Sequence, residues 1–445
     1  MKRNIDQQLD LWRNSRRRKP LVLQGARQVG KTYALKSFAT RAYESSVYCN
    51  FEEDRKLHQL FQDLNPSAII GHLESFYKVK IDPEKTLIIF DEIQECSDAL
   101  LSLKYFNEKA SAYHIAAAGS LLGVKLSVQK SFPVGQVNFL QLYPLTFLEF
   151  LEALGYEKLS EMISNKIDFL PLNNGIHEKL IDLVRRYIMV GGMPEAVVEY
   201  SLDESKFLDV REVQKEILKS YELDFVKHTS AHQAQKLSLT WGLIPSQLAK
   251  ENRKFIFSAI KKSARGRDFE ATLKWLFDAG MIYQASAVSK PGLPLISYAE
   301  ADIFKVYLLD TGLLGALSGL DPSAWTIGNQ LFSEFKGSLT ENFVAQQLAA
   351  GYQSSALHYW RSGNTAEVDF IISEHQKIFP LEVKSGSSLQ AKSLKVYRER
   401  FSPEVSCRVS GLNFSRNEKL VNVPHYAINR LSALIEAQTI ADMKI

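Results

Sequence analysis

"QGARQVGKT", Gln24–Thr32, follows the apolar run Leu21–Leu23 and opens onto "YALKSFA", in which Ala34, Leu35 and Phe38 share one helical face. A short strand, a glycine-bearing loop, a lysine-threonine pair and a helix come in the order that lets a chain cradle phosphate. Backbone N–H groups of Gly25, Ala26, Arg27, Gln28, Val29 and Gly30 can wrap a β-phosphate. The helix N-terminus, starting with Lys31, Thr32 and Tyr33, adds its dipole to the same end. Lys31 is expected to reach the β- and γ-phosphates and the Thr32 hydroxyl to sit on Mg²⁺. The cofactors implied are ATP and Mg²⁺.

About 60 residues on, "TLIIFDEIQ" gives an apolar strand, Leu87–Phe90, that ends in Asp91 and Glu92. An acid at the carboxyl end of a parallel strand faces the crevice where phosphates lie. Asp91 is expected in the Mg²⁺ shell and Glu92 beside the attacking water. A "DE" pair that merely ends a strand is the plain structural alternative, and the upstream loop makes it the weaker one. A third short strand, in "YHIAAAGSLLG", ends on Gly119 and Ser120.

The 445 residues are 45% hydrophobic and 23% charged, ordinary globular material for about two to four domains. A formal charge of +4 permits nucleic-acid contact without demanding it. Three cysteines, Cys49, Cys96 and Cys407, form no CxxC pair, which argues against a disulfide framework or a zinc knuckle and fits a reducing cytoplasm. The nine histidines lack paired ligand spacing. No stretch of about 18 apolar residues exists, so neither a membrane span nor a signal peptide is expected.

The segments "GARQVGKT", "LIIFDEIQ" and "AAGSLLG", followed by "FPVGQVNFLQLYPLTFLEFL", resemble bacterial and archaeal AAA-type ATPases that carry an uncharacterised C-terminal region. The resemblance implies that Ser120 senses the γ-phosphate, although a serine after glycine is often a turn residue. AAA-type enzymes usually draw an arginine finger from a neighbouring subunit, whereas "FPVGQVNF" carries Gln136 and no arginine. A slow ATPase that works as a binding switch is therefore at least as well supported as a motor.

From "LYPLTFLEFLEAL" to "SYELDFVKH" apolar residues recur at helical spacing, which suggests a helical lid interrupted at Gly191, Gly192 and Pro194. That corner is either a plain turn or, by resemblance to signal-transducing ATPases, a place where Pro194 packs on adenine. Residues 230–300 read as a winged helix, with "SKPGLPL" as a wing between two strands. Its basic cluster, Lys261, Lys262, Arg265 and Arg267, is either a DNA-contacting helix or a solvated face. The earlier "RNSRRRK" cluster, Arg13 and Arg16 to Lys19, is expected to lie in solvent.

A second constellation lies near the C-terminus. "FKGSLTENFVAQQLAA" reads as an amphipathic helix with Glu341, "YWRSGNTAEVDFII" as a strand with Asp369, and "KIFPLEVKSG" as a strand that places Glu382 and Lys384 on one face. Carboxylates converging with a lysine on a half-buried sheet must bind a cation or pair with one another. The ordered set resembles the PD-(D/E)xK nuclease superfamily, with Val368 where the superfamily has its proline. That resemblance implies Asp369 and Glu382 as Mg²⁺ ligands, Glu341 supporting the metal or its water, Lys384 orienting hydroxide, and Lys392 and Lys395 near the nucleic-acid backbone. The alternative is an ordinary Lys–Glu pair on a sheet surface.

The fold class expected is thus α/β: an AAA-type P-loop domain (1–150) with a helical lid (151–229), a winged helix (230–300) and a restriction-endonuclease-like domain (301–445). The function expected is a slow Mg²⁺-dependent ATPase switch controlling a DNA-binding, nuclease-like module in DNA processing or defence. A non-cleaving ATP-dependent regulator is the alternative. ATP, DNA and a protein partner are the partners the sequence offers, an oligomer is left open, and no membrane is involved.

Overall fold

The computed structural model describes residues 1–119, 135–248, 266–321, 333–354, 356–363, 366–386 and 392–442. They form two compact units, Met1–Tyr143 with Asp278–Gly280, and Pro144–Phe277 with Met281–Ile445.

The first unit is an α/β layer structure. Helix α1 (Ile5–Arg13) precedes β1 (Leu21–Gln24), α2 (Lys31–Ala42), β2 (Ser45–Asn50), α3 (Pro66–Tyr77), β3 (Thr86–Asp91), α4 (Ser97–Lys109), β4 (His114–Ala118) and β5 (Asn138–Gln141). All five strands pair in parallel, in the order β2-β3-β4-β1-β5. Strands covered on both faces need continuous apolar runs, and every residue of β3 and β4 is buried. Phe51, Phe61 and Phe90 meet edge to face at 5.2 to 5.7 Å on one side of the sheet. Because β4 lies between β1 and β3, the glycine loop and the acidic strand end on either side of it. Local signals place the helix ends. Asn65 accepts from the Ser67 N–H with Pro66 next to it at the start of α3, and Gly30 in the left-handed region (φ 94°) starts α2.

The second unit begins with helices: α5 (Phe147–Ala153), α6 (Glu157–Ser164), α7 (Asn174–Val190), α8 (Pro194–Leu202), α9 (Phe207–His228), α10 (Ala231–Leu248) and α11 (Gly266–Asp278). Thr146 and Glu149 form a capping box at the start of α5. Strands β6 (Ile282–Val288) and β7 (Ala299–Leu308) come next, then α12 (Thr311–Leu317) and the long helix α13 (Ser333–Tyr352). The remainder is β8 (Ala356–Ser362), β9 (Ala366–Val368), β10 (Phe370–Glu374), β11 (Lys377–Val383), α14 (Lys392–Phe401), β12 (Ser406–Ser410), β13 (Ser415–Asn417), β14 (Leu420–Pro424) and α15 (Leu431–Asp442).

Two sheets result, β7-β6-β8-β9 and β10-β11-β12-β14-β13. The "SKPGLPL" stretch does connect an antiparallel pair, β6 and β7. Strand β6 also pairs in parallel with β8, so this hairpin shares its sheet with strands from beyond residue 301.

Two expectations change. "YWRSGNTAEVDFII" is not one strand: a turn with Gly363 at φ 53° separates β8 from β9, and the chain leaves one sheet for the other at Asp369. Helix α13 is not amphipathic either, because every residue from Ser338 to Ala349 is buried. A helix covered all round must satisfy its polar side chains inside the protein. Asn342 does so by accepting from the Leu308 N–H (2.8 Å) and donating to the Leu308 carbonyl (3.1 Å), as a strand neighbour would. Gln346 accepts from the Thr311 N–H at 3.0 Å, and Gln347 accepts from the Phe147 N–H at 2.9 Å.

Asp310 completes the network. One carboxylate oxygen accepts from the Leu313 N–H (3.0 Å), capping α12, and the other accepts from the Gly192 N–H (2.6 Å) and Gln346 Nε2 (3.0 Å). Burial raises the Asp310 pKa while these donors pull it back down. A side chain on Gly191 (φ 77°) would strike this carboxylate, and one on Gly192 the Leu145 carbonyl. Asp310→Ala removes the acceptor of the Leu313 and Gly192 backbone N–H groups and of Gln346 Nε2, and is expected to destabilise the second unit by about 3 kcal/mol in urea unfolding. Asp310→Asn, which keeps one acceptor, should lose less.

Candidate functional site

The loop after β1 closes on tight backbone geometry. Gly25 (φ 147°) lies against the Leu142 carbonyl oxygen, where a Cβ would collide, and Gln28 takes φ 64°. Ala26 and Val29 are buried, while Gln28 is exposed and Arg27 half-buried. The Lys31 ammonium is buried and donates to the Gly25 and Ala26 carbonyls at 2.9 and 2.8 Å. Burial lowers its pKa to about 8 against the opposing pull of Glu92 and Asp91, so it keeps its charge at neutral pH. Tyr33, near the start of α2, is largely exposed and accepts from the N-terminal amine at 3.3 Å.

Thr32 and Asp91 meet directly. The Thr32 hydroxyl donates to Asp91 Oδ2 at 2.7 Å, and the Tyr48 hydroxyl donates to the same oxygen at 2.8 Å. This brings together the hydroxyl and the carboxylate that Mg²⁺ coordination next to a triphosphate requires, so the residues present fit the ion. Glu92 stands beside Asp91 at φ 47°, with its N–H donating to Asp91 Oδ1 at 3.1 Å and its carboxylate accepting from Gln94 Nε2. A left-handed non-glycine residue at a strand end is a mark of functional sites. Ser120, Lys261, Lys262 and Arg265 lie outside the described residues; Arg267 falls within α11. Pro194 is the first residue of α8.

Tyr48 and Arg3 are additions that the sequence did not announce. Tyr48 sits in β2, in "SSVYCN", a stretch with no glycine or acid to single it out. Of the N-terminal cations, Arg16 and Arg17 are exposed as expected, but Arg18 donates to the Ser111 carbonyl at 2.7 Å and Arg13 lies over the Tyr43 ring.

The C-terminal residues converge only in part. Asp369 Oδ2 accepts from the Val383 N–H at 2.7 Å, fixing the sheet-switching point to β11. Glu382 Oε1 accepts from Lys384 Nζ at 2.7 Å, as strand alternation implied, while its Oε2 is buried and has no hydrogen-bond partner among the described residues. Burial and neighbouring Asp369 raise the Glu382 pKa; Lys384 and Lys305 oppose them.

Glu341 is engaged by Lys305, the lysine that also acts on Glu382. Its Oε1 accepts from Lys305 Nζ (3.2 Å) and the Tyr307 hydroxyl (2.5 Å), and Lys305 also pairs with Glu367 at 2.5 Å. Lys305 is 0% exposed, a lone charge in the apolar stretch "IFKVYLL", and that isolation was its one sequence signal. Among the described residues no three His, Cys, Asp or Glu side chains gather as a metal site. Lys392 and Lys395 are exposed on α14.

Comparison with known proteins matches three stretches of the chain. Residues 17–151 match the model of an AAA domain, whereas 181–324 and 336–426 match two families described only as domains of unknown function. An uncharacterized protein of Mycobacterium tuberculosis is 34% identical over 84 residues, which cover 19% of this chain and 18% of that protein. An uncharacterized ATP-binding protein of Methanocaldococcus jannaschii is 28% identical over 190 residues, covering 38% of this chain and 46% of its own. The chain therefore spans less than half the length of these relatives.

Among solved structures, the Walker-type ATPase of Pyrococcus abyssi aligns over 70% of this chain and 94% of its own, with 16% identity and a TM-score of 0.43. The Holliday junction branch migration motor of Thermotoga maritima aligns over 65% and 89%, with 14% identity and a TM-score of 0.31. The first unit holds an AAA-type P-loop ATPase domain with a parallel sheet, and no helix among the described residues is long and apolar enough to cross a membrane.

Removing one partner of a buried ion cluster leaves a charge uncompensated. Lys305→Met is expected to cost about 3 to 5 kcal/mol in chemical denaturation. Adding Glu341→Gln should restore part of that loss, since the amide oxygen still accepts from Tyr307 and Glu367 is open enough to be hydrated. A single-variant loss below about 1 kcal/mol would mean the bridge contributes little.

Proposed function

We propose that this chain is an ATP-dependent switch: a slow, Mg²⁺-dependent ATPase that governs a DNA-binding, nuclease-like C-terminal region in DNA processing or defence. The observation that carries the nucleotide half is the 2.7 Å hydrogen bond from Thr32 to Asp91, which joins the glycine loop to the acidic strand. In this reading the amides of Gly25–Gly30 and the Lys31 ammonium hold the phosphates, and Thr32 and Asp91 hold Mg²⁺. Bound there, Mg²⁺ would neutralise charge on the phosphates. Glu92, held by Gln94, takes the proton of the attacking water.

For the C-terminal region the nuclease-like reading gives Asp369 and Glu382 the cation and Lys384 the attacking hydroxide; the unpartnered Glu382 Oε2 beside Asp369 supports it. The second reading, a regulator that does not cleave and acts through a protein partner, is favoured by one specific observation. Glu341, the helix position of the motif, is already neutralised by Lys305.

Lys31→Ala is expected to abolish measurable ATP binding in calorimetry. Glu92→Gln should keep binding while slowing hydrolysis by about 100-fold or more, because only Glu92 acts on the water. Normal turnover in Glu92→Gln removes Glu92 from that role. Incubation with linear, branched and single-stranded DNA, with Mg²⁺ or Mn²⁺ and with or without ATP, separates the two C-terminal readings. Cleavage lost in Lys384→Ala establishes the nuclease; absence of cleavage in every condition selects the regulator.

A further inference from the structure

We infer that Arg3 is a positioning residue of the nucleotide site, clipping the phosphate loop to the chain that follows β5. Its Nη1 donates to the Val29 carbonyl at 3.2 Å and its Nη2 to the Tyr143 carbonyl at 2.7 Å. Arg3 is 8% exposed, so the charge has left water and its N–H groups must donate inside the protein. The planar fork of a guanidinium suits two acceptors at once.

Arg3 itself is held in place. Its backbone N–H donates to Asp6 Oδ2 at 3.0 Å, its carbonyl accepts from the Asp6 N–H, and Arg41 of α2 pairs with Asp10 at 2.7 Å and Asp6 at 3.8 Å. Helix α1 is thereby fastened to α2, the helix that the loop introduces.

The clip acts on the peptide between Val29 and Gly30. Gly30 sits at φ 94° and has no Cβ, so the peptide before it can rotate at little energetic expense. In a trans peptide the carbonyl and the following N–H point in opposite directions. Fixing the Val29 carbonyl toward Arg3 therefore fixes the Gly30 N–H away from Arg3, as one of the loop amides that would meet phosphate. At the other end of the loop Gly25 abuts the Leu142 carbonyl, so both ends rest on residues 142–143. A loop ordered beforehand binds more tightly because less freedom is lost on binding.

This inference rests on reading Gly25–Thr32 as the ATP site, and the experiment keeps the two apart. ATP and ADP are titrated calorimetrically into the full chain, its Arg3→Met variant and its Arg3→Lys variant, with thermal melts of each nucleotide-free protein. Arg3→Met is expected to weaken ATP and ADP by the same factor, about tenfold or more, the loss that one charge-assisted hydrogen bond brings. Arg3→Lys should recover only part, because one ammonium lacks the fork that reaches both carbonyls. Unchanged ATP and ADP affinities, with only the melting temperature lowered, would assign Arg3 to holding α1 and overturn the inference. So would full recovery in Arg3→Lys, since charge alone would then suffice. If Arg3→Met fails to fold, Arg3→Lys carries the same decision. Wild-type protein that binds neither nucleotide would refute the reading of the loop itself, before any variant is compared.

Discussion

Charge that leaves water must be met inside the protein, and in this chain that requirement shapes both polar centres. In the first unit the Lys31 ammonium is buried against two carbonyls of its own loop, and Asp91 Oδ2 takes two hydroxyl donors. In the second, Lys305 stands among Glu341, Glu367 and the Tyr307 hydroxyl. The two solutions have different consequences. The first leaves donors that a phosphate can take over, since carbonyls are weak competitors for an ammonium against a polyanion. The second closes on itself, with full negative charge already supplied to the lysine.

That difference orders the functional reading. An ammonium resting on neutral carbonyls gains from an arriving phosphate, so the nucleotide site is poised for a ligand. A lysine between two carboxylates gains nothing from a further anion and deprives Glu341 of any need for a cation. Among the described residues, Glu382 Oε2, in the outer part of the C-terminal cluster with Asp369 and Lys384, is buried without a hydrogen-bond partner.

What the sequence disclosed follows from how local each contact is. The phosphate loop and its helix are contiguous, so spacing alone exposed them, and the acids after β3 stood out against a continuous apolar run. The clip from Arg3 was illegible because its two acceptors lie 26 and 140 residues away. Tyr48 reaches Asp91 from a neighbouring strand, across a pairing that no spacing rule encodes. The Asp369, Glu382 and Lys384 set was visible as an ordered pattern. Its partition was not, because the chain changes sheets at Asp369 and the third carboxylate is claimed by a lysine that lies ahead of the motif.

Helix α13 was misread for a related reason. "TENFVAQQL" contains enough polar residues to suggest a wet face, yet each of them is buried and hydrogen-bonded within the second unit. Gln346 and Gln347 donate to the Tyr187 hydroxyl of α7 at 2.9 and 3.2 Å, Asn342 binds the end of β7, and Glu341 enters the charge cluster. Helical segments and sheets are therefore tied through about two turns of one helix. Polar contacts buried this completely lose much when displaced even slightly, because each orphaned group bears its own desolvation penalty. These contacts lie within the second compact unit, Pro144–Phe277 with Met281–Ile445, and link α7, α13 and the end of β7.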